Sequence, residues 1–249
     1  TGCLENDESQ EALRLFQNMQ MEGLDSDVVI FVSVLKSLMD LDSGKRLHAQ
    51  ILASGICMEN LLASALIDMY VNCQCIDNAT KVFHNINGPD VVSWTALMAG
   101  YAQVGRDRIV LDSYERMIGE GINPDVVTFT VLLNACSDAG LLDEGKIYFE
   151  TMIRTYDIIP TQEHCACMVD LFSRAGQFDK ALVVIERMPR FDHVPTWATL
   201  LGACKKWGYL KLGELAFEHL VQLDGNNAAG YVSMSNIYAA ASATEGTYV

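Results

Sequence analysis

Cations are scarce in this chain: of 249 residues only 17 are Lys or Arg, against 32 Asp or Glu, for a formal charge of −15. Tight, indiscriminate binding to phosphate backbones requires neutralising Lys and Arg, so that mode is disfavoured. A locally neutral groove that reads bases is still compatible with the composition. Most of the carboxylates are expected to form a solvated acidic surface. Long apolar runs are also lacking. The nearest approach, residues 228–243 (AAGYVSMSNIYAAASA), is shorter than the ~18 residues a membrane helix needs and carries Ser and Asn. No membrane span is expected. A charged-then-apolar leader is missing before Thr1, which starts inside a repeat, so the chain is expected to be a fragment without its targeting segment. The eight Cys come without a secretory leader, which points to a reducing compartment and buried thiols rather than a disulfide framework.

What is present is a hydrophobic half of the sequence, enough to fold, arranged periodically. The stretch Val91–Asp125, VVSWTALMAGYAQVGRDRIVLDSYERMIGEGINPD, returns imperfectly along the chain. A small or slim residue is followed by a large one four later and a large apolar one seven later. The triplets are Ala12/Phe16/Met19, Gly44/His48/Ile51, Ala79/Phe83/Ile86, Val110/Tyr114/Met117, Gly145/Phe149/Met152, Ala181/Ile185/Met188 and Gly213/Phe217/Leu220. Their first members are offset by 32, 35, 31, 35, 36 and 32 residues (44−12 through 213−181). Spacing of i, i+4 and i+7 is one helical face, and the small residue admits a close neighbour. Upstream of the complete triplets lie second helical runs: FVSVLKSL, LLASALIDMY, VVSWTALMAGYA, VTFTVLLNAC, EHCACMVDLF and PTWATLLGAC. Each repeat is thus an antiparallel helix pair, helix A then helix B. Gly105, Gly140, Gly176 and Gly208 are placed between the helices, where a left-handed C-cap suits Gly. Pro124 closes helix B in its repeat. A period of this length means a solenoid.

Two families have helical hairpins of this size. The tetratricopeptide pattern Trp-x2-Leu-Gly-x2-Tyr is met by Trp94, Leu97 and Tyr101, but Met98 stands where its Gly belongs and the repeat length varies. VVSWTALMAGYAQVG, PDVVTFTVLLNACSDAGLLDEGKIYFETM and EHCACMVDLFSRAGQFDKALVVIERMP more closely resemble the plant-type pentatricopeptide repeat family, in its branch with alternating standard, long and short repeats. WATLLGACKKWGYLKLGELAFEHLVQLD and YVSMSNIYAAA resemble that branch's C-terminal E region. The resemblance covers essentially the whole chain. It implies an all-α solenoid, a right-handed superhelix, with a partial standard repeat at 1–27, a long repeat at 28–59, a short one at 60–90 and a standard one at 91–125. A long repeat at 126–161, a short one at 162–193 and a truncated E-like region at 194–249 complete it. SLMDLDSGK is about three residues shorter than the family's usual connection, so a distorted hairpin is expected at 36–45.

The resemblance also implies single-stranded RNA as a ligand, with one base per repeat read by its second, fifth and last residues. In 91–125 these are Val92, Thr95 and Asp125; in 60–90 they are Leu61, Ser64 and Asp90. Val92 and Thr95, three apart on a helix, share a face. The aliphatic residue would wedge against a base, and an ionised Asp only accepts hydrogen bonds, so it suits an edge displaying N–H groups. Guanine and uracil both offer one; family analogy favours guanine. Without the resemblance, Thr95 would be read as a turn or cap residue and Asp125 as a helix-flanking carboxylate. Val32/Glu59, Thr130/Thr161 and Ala166/His193 form no clear pair.

The same resemblance implies an RNA-binding factor of a mitochondrion or chloroplast, one that selects C-to-U editing sites, with no catalysis or cofactor of its own. Longer family members end in a zinc deaminase-like domain, which needs His-x-Glu and Pro-Cys-x-x-Cys. Neither motif occurs. A deaminase or other editing factor would then dock on the acidic, apolar segment 194–241. A tetratricopeptide-like protein scaffold stays open as the alternative, favoured by the acidity. Cys73/Cys75 and Cys165/Cys167 are spaced too closely for a usual zinc site and, with Cys136 and Cys204, are expected to be core or structural thiols. Trp94, Trp197 and the Met residues of the helix B triplets are expected in the core. Lys205, Lys206 and Trp207 form a small basic-aromatic turn.

Overall fold

The computed structural model describes residues 11, 13–19, 21, 22, 26–187 and 194–245. Ala12, Met188 and His193 lie outside the described residues. Those described form helices and connections only. After a helical stretch at 13–19 come α1 (Val28–Ser37), α2 (Leu41–Ala53), α3 (Asn60–Asn72), α4 (Ile76–His84), α5 (Val91–Gln103), α6 (Asp107–Gly119) and α7 (Val126–Ala139). They are followed by α8 (Leu142–Arg154), α9 (Gln162–Arg174), α10 (Phe178–Arg187), α11 (Val194–Trp207), α12 (Leu210–Leu223) and α13 (Ala228–Glu245). Odd-numbered helices are the A helices. They begin at residues 28, 60, 91, 126, 162, 194 and 228, offsets of 32, 31, 35, 36, 32 and 34 (60−28 through 228−194).

The chain divides into two compact units, Thr1–Val131 and Leu132–Val249. In the first, α1 packs on α3 and α3 on α5, while α2 and α4 each pack on an A helix. In the second, α9 packs on α11 and α11 on α13, with α10 and α12 against their partners. An A helix therefore has neighbours on several sides, and its sequence is apolar almost all round: Leu62 to Ile67, Met69, Tyr70 and Val71 are all buried in α3. The B helix α4 buries one stripe, Ile76, Ala79, Val82 and Phe83. Width of the apolar face thus follows the number of packing partners. Trp94 is fully buried and meets Phe83 edge-on at 4.6 Å, and Trp197 is buried and stacks on His219 at 4.2 Å.

Short corners keep each pair antiparallel. At Gly105, Gly140, Gly176 and Gly208 φ lies between 68° and 71°, and the next N–H turns back to helix A, as in Arg106 N–H to Tyr101 C=O at 2.9 Å. This is the left-handed helix stop that Gly adopts at least cost. Gln74 does the same work at φ 55° with a side chain, a corner that no glycine marks in the sequence. The expected distortion at 36–45 takes another form. The connection 38–40 has ordinary length, and the shortening falls on α1, which has 10 residues where α3 and α5 have 13. Leu38 leaves the helix in an extended conformation (ψ 129°), and Asp40 starts α2 by accepting from Ser43 N–H at 2.8 Å.

Candidate functional site

The start of each A helix in the first unit has a common chemistry. Its second residue is an exposed aliphatic: Val29 65 %, Leu61 59 %, Val92 55 % and Val127 57 % exposed. Single exposed aliphatics are ordinary on protein surfaces, but four at one register are a pattern. Sequence reasoning had selected Leu61 and Val92. Val29 and Val127 were legible by the same rule, since each is the second residue of its helix.

Before α1, α5 and α7 the preceding residue caps the helix. Asp27 Oδ1 accepts from Ile30 N–H at 2.9 Å, Asp90 Oδ1 from Ser93 N–H at 2.9 Å, and Asp125 Oδ1 from Thr128 N–H at 2.8 Å. These bonds satisfy amides that the helix leaves without an internal partner. Asp125 is therefore a helix-flanking carboxylate, and the last residue of one repeat is also the first support of the next. The capping bonds of Asp90 and Asp125 engage Oδ1; their Oδ2 atoms accept nothing from the described residues. Thr95 is neither cap nor turn residue. It lies inside α5 and is 7 % exposed, whereas Val92 on the same helix is open to solvent. The shared face thus has depth: the aliphatic side chain stands at the rim and the hydroxyl beneath it.

Those hydroxyls reach the next repeat. Thr95 Oγ1 lies 3.0 Å from Thr128 Oγ1, and Thr128 Oγ1 donates to Asp125 Oδ1 at 2.8 Å. Ser64 Oγ lies 3.0 Å from Ser93 Oγ, and Ser93 Oγ donates to Asp90 Oδ1 at 2.8 Å. The fold therefore connects Thr95 with Asp125, and Ser64 with Asp90, through the third residue of the following A helix. Ser93 and Thr128 were not singled out from the sequence; their signal was a hydroxyl residue three after Asp90 and three after Asp125. The remaining repeats are built differently. Val32 is buried and Glu59 makes no side-chain cap. The Thr130 hydroxyl donates to Val126 C=O at 3.1 Å, and Thr161 caps α9 in a reciprocal arrangement with His164. Ala166 is half-buried and carries no polar group.

Other chemistry finds little support. No group of three or more His, Cys, Asp or Glu among the described residues is placed to hold a metal ion. Cys136, Cys165, Cys167 and Cys204 are buried, and Cys73 and Cys75 are half-buried. Burial, helped by Asp170, pushes the Cys167 thiol up to about 12, and burial pushes Cys204 up to about 11. Such thiols stay protonated and unreactive near neutral pH. Lys206 Nζ lies 5.8 Å from the Trp207 ring, while Trp207 covers Gly176. Arg174, in the same unit, is committed to Asp170 at 2.7 Å and Asp138 at 3.7 Å. No helix among the described residues is long and apolar enough to cross a membrane.

Residues 89–138 match the PPR repeat family, and residues 1–24, 127–155 and 164–193 each match a PPR repeat. The chain is a PPR-repeat protein. It is 37% identical over 234 residues to a pentatricopeptide repeat-containing protein of Arabidopsis thaliana, covering 93% of this chain and 32% of that one. A mitochondrial protein of this type from the same plant is 38% identical over 95% of this chain and 40% of its own length. A chloroplastic one is 37% identical over 96% of this chain and 29% of its own length. The chain thus spans well under half the length of these relatives. Among solved structures, PPR10 from maize is similar with a TM-score of 0.62 and 21% identity, over 91% of this chain and 34% of that one. PPR10 in complex with an 18-nucleotide RNA element is similar with a TM-score of 0.58 and 14% identity, over 94% of this chain and 40% of that one. These likenesses establish the all-α solenoid of the PPR fold.

Proposed function

We propose that this chain is part of a PPR factor that binds single-stranded RNA in a mitochondrion or chloroplast and selects sites for RNA processing, in particular C-to-U editing. The observation that carries the reading is the repeated constellation at the A-helix starts. Leu61, Ser64 and Asp90 recur as Val92, Thr95 and Asp125, each with an exposed aliphatic, a recessed hydroxyl and a carboxylate with one oxygen uncommitted. An aliphatic rim can press on a base face, and the polar pair below can bond its edge. The relatives named for mitochondria and chloroplasts support the location, and the RNA complex of PPR10 supports the ligand. Repeats 60–90 and 91–125 are the readers in this scheme, with the long repeats as spacers. Editing chemistry is supplied from outside: the factor has no catalysis of its own, and a deaminase or editing-factor protein docks on the E-like segment 194–241, where α13 exposes Tyr231, Val232 and Tyr238.

The test is equilibrium binding to randomised single-stranded RNA. Enrichment of guanine at the register of 91–125, altered by Thr95→Asn, is the expected result. Absence of RNA binding at low salt would sink this reading in favour of a protein-binding scaffold, which the formal charge of −15 makes the second choice.

A further inference from the structure

We infer that Ser93 and Thr128, the third residues of α5 and α7, are positioning residues that fix which hydrogen-bonding face Ser64 and Thr95 present to a ligand. The inference rests on the base-reading proposal for these two repeats. A hydroxyl has one proton and two lone pairs, and an ionised carboxylate has no proton at all.

The contact of 2.8 Å between Thr128 Oγ1 and Asp125 Oδ1 therefore uses the Thr128 proton. Thr128 Oγ1 also accepts from Asp125 N–H at 3.2 Å, which occupies one lone pair. Its remaining lone pair faces Thr95 Oγ1 at 3.0 Å, so Thr95 has to be the donor there. Thr128 is fully buried, which keeps water from offering a substitute. Ser64, Ser93 and Asp90 repeat the arrangement: Ser93 gives its proton to Asp90 at 2.8 Å, and Ser64 donates to Ser93 at 3.0 Å. Both protons in each chain run toward the carboxylate.

The fifth residue of each reading repeat is thereby left with lone pairs only. Thr95 and Ser64 act toward a ligand as acceptors, and the Oδ2 of Asp125 or Asp90, which the hydroxyl chain leaves unused, is a second acceptor of the same repeat. Two acceptors in one repeat require a base edge with two donors. Guanine has them at N1–H and N2–H2, whereas uracil has a single N–H on that edge. The preference of guanine over uracil thus depends on a residue that belongs to the following helix and touches no base. The long repeat 28–59 supplies the contrast within the same unit: Val32 and Leu62 occupy the equivalent places, both buried and without hydroxyls, and Glu59 makes no side-chain cap.

The experiment compares the parent chain with Thr128→Val, Thr128→Ser and Thr95→Asn, on RNA oligonucleotides carrying G, U or A at the register of 91–125. Thr128→Val keeps the volume but removes the acceptor, freeing the Thr95 proton. A roughly tenfold compression of the G-over-U preference is expected, with Thr128→Ser restoring it. A purely structural role would weaken all oligonucleotides alike. If Thr95→Asn alters the preference while Thr128→Val leaves it at the parental value, the positioning role is overturned and base reading stands. If the parent shows no base preference, base reading fails, and the role in reading fails with it. A second measurement separates the two: NMR detection of a slowly exchanging Thr95 hydroxyl proton, lost in Thr128→Val. Exchange of that proton at the solvent rate in the parent overturns the hydroxyl chain whatever the RNA result.

Discussion

Gly145 in α8 faces Leu171 in α9 so closely that a Cβ built on the glycine would lie 2.5 Å from Leu171 Cδ1. A Cβ built on Gly44 in α2 would likewise overlap Met69 Sδ in α3. Helix B of one repeat is thus pressed against helix A of the next through a missing side chain.

Replacing Gly145 by Ala forces Leu171 off its position in a packed interior, at about 1–3 kcal/mol. That cost exceeds the helix-propensity gain of ~1 kcal/mol that Ala brings. Gly202 in α11, with no atom within 4 Å of its built Cβ, is the control. Urea unfolding should show Gly145→Ala less stable than the parent and Gly202→Ala more stable.

A second outcome concerns the buried hydroxyl pair. Ser93→Ala strands the Ser64 proton, and Ser64→Ala strands a lone pair of Ser93; each is expected to cost about 1–2 kcal/mol. The double substitution removes both ends of one contact, so its cost should fall short of the sum of the singles. A double-mutant cycle by denaturant unfolding gives the coupling, and strict additivity would show that the two groups are not bonded.

Acidification supplies a third. His48 Nδ1 lies 2.9 Å from the Tyr70 hydroxyl, and burial holds the His48 ring below the ordinary histidine value of 6.5. The unfolded chain therefore takes up a proton at higher pH than the folded one does. Stability is complete above that value and declines as the pH falls through 6.5 toward the lower folded-state value. Because the ring is only half-buried, the decline attributable to it should stay below about 1 kcal/mol. His48→Gln should make unfolding midpoints at pH 7.5 and 5.5 differ less than in the parent.

Thiol labelling gives a fourth. Cys57 is exposed, while Cys136, Cys167 and Cys204 are buried, the last two with thiols pushed up to about 12 and 11. An alkylating reagent at pH 8 should mark Cys57 in the native chain and the other three only after denaturation, as read by peptide mass spectrometry. Rapid native labelling of Cys167 would contradict its burial.

Helical pairing was legible because it is written as periodicity: Gly44, Ala79, Val110, Gly145 and Gly213 recur at helical register, and Gly105, Gly140, Gly176 and Gly208 mark the corners. The corner at Gln74 was not, because a left-handed residue with a side chain leaves no compositional mark. The shortened first hairpin was legible as a deletion but not in its location. Helix ends fray at little cost, whereas a three-residue corner has a fixed geometry, so α1 absorbed the loss.

The candidate site divides in the same way. Local sequence by itself determined that an aliphatic residue, a hydroxyl and a carboxylate recur at fixed places in repeats 60–90 and 91–125, since those places follow from helical register alone. Only tertiary structure decided that Thr95 meets Thr128 and that Ser64 meets Ser93. Those partners are 33 and 29 residues apart and belong to different helices. Their contact depends on how closely successive A helices pack, a distance set by buried side chains along the whole helix and by no local pattern.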